Sequence, residues 1–204
     1  TNVQAEKAVD DILNITDCGV QLMAGMYKQS LYSCIDDAAF LAKKNIKTAR
    51  IYPTQVLKNT ALYSLYLTGE YKETDLADMI LAAGGMYAHF TAEQVQVIRM
   101  GLPEDAAESG QIAAGAHHKS FGDIVKTFIM LLYMDMGGKV RYSGFKKIGR
   151  KLFNKNYEIY PDININDFKD ICIEIRRNYL EDSKRFIKGQ AASFACRLKD
   201  AANN

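Results

Sequence analysis

The sequence predicts an all-α fold of about 8–10 helices, built as one globule or as two helical lobes joined by a short extended connector. Three observations lead there. Apolar residues recur at helical spacing along most of the chain; capping residues and glycines punctuate those stripes; and a single short segment, residues 46–52 (IKTARIY), alternates as a strand would. With 204 residues, 48% apolar, and 26 Lys plus Arg against 24 Asp plus Glu, the composition excludes a disordered tail or a fibre. A chain of this length hides roughly 70% of the surface its unfolded form exposes, so its core needs no disulfide or metal staples.

In chain order, Val3, Ala5, Val9, Ile12 and Leu13 share one face of a first helix that stops near residues 17–19. Residues 21–43 read as a longer helix with Leu22, Met26, Leu31, Ile35, Ala38, Ala39 and Ala42 as its stripe. Residues 46–52 then form a short strand or an extended connector ending at Pro53. Thr54 caps a helix carrying Val56, Leu57, Ala61, Leu62 and Leu65, which Gly69 terminates. Thr74 opens another, with Leu76, Met79, Ile80 and Ala83, stopped by Gly84-Gly85. Thr91 and Gln94 have capping-box spacing and start a short helix closing at Gly101.

Residues 103–118 (PEDAAESGQIAAGAHH) hold few large apolar groups and read as a mobile connector. Residues 121–136 are apolar on nearly every side, as the buried central helix of a lobe would be, and Gly137-Gly138 ends them. Charged residues interrupt that stretch, and it is too short to span a bilayer. Three further segments, 143–154, 167–181 and 182–201, complete the chain; Phe168, Ile171, Cys172, Ile175 and Tyr179 form the stripe of the second, and Ile187, Ala191, Phe194 and Leu198 that of the third.

Charge divides the chain. Residues 1–118 carry 9 basic and 14 acidic residues, net −5, and residues 119–204 carry 17 and 10, net +7. The domain reading follows: an acidic helical lobe over 1–102, with 1–17 as a possible arm; a mobile connector over 103–118; and a basic helical lobe over 119–204. Polarity of this kind calls for an acidic partner.

The segment with most chemistry is 139–155, KVRYSGFKKIGRKLFNK, with seven basic residues and no acid. On a helix, Lys146, Lys147, Arg150 and Lys151 fall opposite Phe145, Ile148 and Leu152. Lys139, Arg141 and Lys155 add cations, and Tyr142 adds a ring able to stack on an unpaired base. Arg176, Arg177, Lys184 and Lys188 extend the cationic surface onto the last two helices. Together these residues predict binding of single-stranded nucleic acid, RNA in particular, through phosphate contacts. The same face also reads as an ordinary solvated surface.

Other constellations are poor in chemistry. His89, His117 and His118 lack convergent ligands for a metal, no nucleophile, base and orienting group can be assembled, and no cofactor motif is present. Four widely spaced cysteines, Cys18, Cys34, Cys172 and Cys196, suit a reducing compartment. Thr1 reads as a trimmed or processed terminus, with no secretory leader after it.

No family motif is present, but the layout of acidic helical part, connector and basic aromatic-laced part resembles viral nucleocapsid and filamentous coat proteins. That resemblance implies a self-assembling RNA-binding protein without catalysis, in the cytoplasm or a virion, forming homo-oligomers or filaments and touching no membrane. The alternative from the same polarity is a helical interaction module for an acidic protein partner.

Overall fold

The computed structural model describes residues 2–102, 110–135, 171–173, 175–176 and 184–202. It contains α1 (Asn2–Leu13), β1 (Gly19–Ala24), α2 (Ser33–Ala42), β2 (Thr48–Pro53), β3 (Val56–Leu57), α3 (Ala61–Leu67), α4 (Leu76–Ala92), β4 (Gln96–Met100), β5 (Ile112–Ala114), α5 (Phe121–Asp135) and α6 (Lys184–Ala202). Residues 171–173 and 175–176 are also helical.

The all-α expectation is therefore wrong: the protein mixes α and β. Strands β1, β2 and β4 form a parallel sheet in that order, and β3 and β5 form a small antiparallel pair. In register, Gln21 lies beside Arg50 and Met23 beside Tyr52, while Arg50 lies beside Arg99 across a bulge in the β2–β4 ladder. Parallel neighbours need a crossover, and helices provide it: α2 connects β1 to β2, and α4 precedes β4.

Side chains alternate across the sheet. Val20, Leu22, Ala49, Ile51, Val97 and Met100 belong to or pack against the core. Helices α2 and α4 cover that side and touch each other, α5 packs on α4 and β4, and α6 packs on α4 and α5. Phe128 of α5 meets Phe194 of α6 with ring centroids 5.7 Å apart. Burying such rings stabilises by about 1.5–3 kcal/mol each.

Helix α5 is largely buried, as the 121–136 segment was expected to be, and α4 is buried along most of its length as well. Asp75 caps it, its Oδ1 accepting from the Asp78 N–H at 2.8 Å, and the helix runs through Gly84-Gly85 instead of stopping there. Residues 79–86 are buried without interruption. Thr60, not Thr54, caps α3, accepting from Tyr63 N–H at 3.2 Å. At the other end of the chain, α1 is tied to the core by a 2.8 Å ion pair between Asp10 and Lys44 and by Leu13.

Candidate functional site

The opposite face of the parallel sheet has no helix against it among the described residues. Gln21, Met23, Arg50, Ile98 and Arg99 are exposed there and Tyr52 is partly exposed. Buried parallel strands are ordinarily apolar on both faces. Here one face instead carries a polar row, Gln21, Arg50 and Arg99, set side by side by the register, with Met23 and Tyr52 in the next row toward the carboxyl ends.

Open parallel sheets bind ligands beyond the carboxyl ends of their strands, and in this protein several polar groups gather there. Thr54 and Gln55 follow β2 and are buried at 5% and 8% exposure. The Thr54 N–H donates to Ala24 O at 2.9 Å, tying the ends of β1 and β2 together. Gln55 Nε2 donates to Ala116 O at 2.8 Å. Among the described residues Thr54 Oγ1 and Gln55 Oε1 are both buried without a hydrogen-bond partner, a condition that ordinarily costs about 1–3 kcal/mol per group.

Two glycines allow close approach. Gly115 has φ of +123°, and a Cβ there would stand 2.6 Å from Gln55 Oε1. Gly25, just past β1, has φ of +81°, and its Cβ would stand 2.5 Å from Thr74 Oγ1. The Tyr71 hydroxyl donates to Gly25 O at 2.6 Å, which fixes the β1 exit against the loop before α4.

That loop separates two open clefts. One, of about 370 Å³, is lined by residues that include Gly25, Gln29, Lys72, Glu73, Asp75 and Asp78. The other, of about 480 Å³, is lined by residues that include Tyr66, Glu73, Asp75, Gly115 and His117. Beside the second, His118 Nδ1 accepts from the Ser120 N–H at 3.0 Å, and burial, then His117 and Lys119, hold its imidazole below the usual histidine range.

Most of the residues expected to bind nucleic acid, namely Lys139, Arg141, Tyr142, Lys146, Lys147, Arg150, Lys151, Lys155 and Arg177, lie outside the described residues. Arg176 pairs with Glu93, and Lys188 lies 3.7 Å from Asp78, so both face carboxylates at α4. Lys184 opens α6. Arg50 and Arg99 escaped the sequence reading. Arg50 lies in IKTARIY, read as a short strand or an extended connector, and Arg99 lies in a segment read as helix.

Among the described residues, no group of three His, Cys, Asp or Glu side chains is placed to hold a metal. Cys34 and Cys172 are buried, and desolvation pushes their thiols up to about 11 and about 12, so neither is a thiolate near neutral pH. Among the described residues no helix is long and apolar enough to cross a membrane.

No curated protein matches the chain. Residues 46–129, which span β2 through most of α5 and include Arg50, Arg99 and both walls of the larger cleft, match the family model described as the radical SAM C-terminal domain. That similarity, with the parallel sheet, overturns the expected nucleocapsid or coat function and the viral and all-α descriptions that went with it, and nothing in it supports RNA binding.

Proposed function

We propose that this chain forms the C-terminal part of a radical SAM-type catalytic unit, with the open sheet face and the carboxyl ends of β1, β2 and β4 turned toward the reaction chamber. One observation carries the reading: a parallel sheet packed by helices on one side presents a polar row on the other, within and beside the residues that match the radical SAM C-terminal domain. S-adenosylmethionine, the group that the family name implies, supplies an organic radical when bound with an iron–sulfur cluster.

Such a cluster needs several convergent thiolates, and this chain's donor set does not fit it. Cys34 and Cys172 are buried protonated thiols, Cys18 is partly exposed and Cys196 exposed, and no described cluster of ligands joins them. No step through a cluster is assigned to these residues. Their work is binding and orientation. Gln21 offers an amide donor and acceptor, Met23 and Tyr52 offer an apolar wall, and the Gly25 and Gly115 backbones let a ligand's neighbours approach closely.

Amide shift mapping tests the reading. S-adenosylmethionine titrated into the 204-residue chain is expected to perturb β1, β2 and β4 at Gln21, Met23, Tyr52 and Thr54. Perturbation confined to the helical side, or none at saturating ligand, overturns it.

A further inference from the structure

From the strand register we infer that Arg50 and Arg99 together bind an oxyanion, a carboxylate or phosphate group of a ligand lying on the open sheet face. The two residues are direct partners on adjacent parallel strands, both are exposed, and both belong to the face that carries no helix among the described residues. Like charges placed opposite each other on neighbouring strands repel and destabilise the sheet. A carboxylate alongside would relieve that repulsion, yet neither guanidinium has an ion-pair or hydrogen-bond partner among the described residues.

Geometry favours an anion with two or more oxygens. Each guanidinium is a planar fork that grips carboxylate or phosphate through parallel N–H···O bonds, and it keeps its charge at any physiological pH. The bulge between Ala49 and Arg50 brings both Ile98 and Arg99 to the exposed side, so Arg99 shares a face with Arg50 instead of turning into the core. Gln21, the third member of the row, adds an amide donor beside Arg50. In the next row, Met23 and Tyr52 give a less polar surface on which the rest of the ligand can lie.

The inference deepens the reading of this face as a reaction chamber and rests on it for the ligand's role, but not for binding itself. The binding test therefore needs neither turnover nor any other protein. It can fail while the S-adenosylmethionine mapping succeeds, and the reverse.

The test follows the thermal midpoint of the 204-residue chain as inorganic phosphate replaces chloride at constant ionic strength. A saturable rise is expected. Arg50→Gln and Arg99→Gln should each weaken apparent phosphate affinity by about tenfold or more, the loss of a charge-assisted fork. Each should also raise the midpoint in chloride alone, because the repulsion is gone; a merely structural arginine would lower it. Arg99→Lys keeps the charge and loses the fork, so it should weaken phosphate binding without raising the chloride midpoint.

Two further ligands locate the source of the oxyanion. If the glutamine variants weaken S-adenosylmethionine but not methylthioadenosine, which lacks the carboxylate, the pair holds the methionyl carboxylate. If they weaken phosphate alone, the oxyanion belongs to a substrate. Absence of any anion response in the parent chain, or an unchanged response in both glutamine variants, overturns the site.

Discussion

Gly85, in the middle of α4, lies directly against Ile35 of α2: a Cβ on Gly85 would stand 2.8 Å from Ile35 Cδ1, 3.0 Å from Cγ1 and 3.1 Å from Cγ2. Ile35 is 2% exposed and has little room to retreat. Gly85→Ala gains about 1 kcal/mol of helix propensity but overpacks a core site, which costs about 1–3 kcal/mol. A net loss of stability is expected in urea denaturation. Adding Ile35→Val, which removes Cδ1, should recover part of it. Simple additivity of the two changes would mean that the contact is not what excludes a side chain.

The Asp75 cap links the stability of α4 to the shape of both clefts. Asp75→Ala leaves the Asp78 N–H without its 2.8 Å acceptor and should cost about 1 kcal/mol, whereas Asp75→Asn should keep most of the stability. Equal losses for the two variants in chemical denaturation would assign the effect to charge rather than to the cap.

His89 makes the fold sensitive to mild acid. Burial, then Arg176 and Lys43, lower its imidazole to about 4, against an upward push from Glu93. An unfolded histidine titrates near about 6.5, so the unfolded chain takes up a proton first as pH falls. Stability is therefore fully present above about 6.5 and is lost progressively down to the folded value, by at most about 1.4 kcal/mol per pH unit. His89→Leu should flatten the stability profile between pH 6.5 and 5 relative to the parent. An unchanged slope would place the sensitivity at other groups.

Cysteine reactivity should follow burial. With Cys34 and Cys172 held as buried neutral thiols and Cys196 exposed, iodoacetamide near neutral pH should label Cys196 first and Cys18 next. Cys34 and Cys172 should react only on unfolding. Mass spectrometry of the native chain checks this order, and early labelling of Cys172 would mean that its helix is not docked on α4.

Local periodicity was enough to reveal the helical character of 2–13, 76–83 and 121–135, because an apolar stripe repeats every three to four residues wherever a helix buries one face. The alternation of IKTARIY left a short strand or an extended connector open, and the structure makes it β2. Periodicity failed for β1 and β4, whose few residues continue into neighbouring apolar positions at helical spacing. Their pairing partners are also remote: Gln21 meets Arg50, and Arg50 meets Arg99. Gly84-Gly85 shows the same limit, since glycine both ends helices and allows close approach, and only the position of Ile35 decides between them. Sequence alone thus determined several of the helical segments, how the charge is distributed and that the core is large, but it also read β1, β3 and β4 as helix. The tertiary structure decided that three short segments form a parallel sheet, and its register put two arginines 49 positions apart side by side on one exposed face. Which distant groups meet depends on long-range backbone pairing and burial, and neither leaves a local pattern in the sequence.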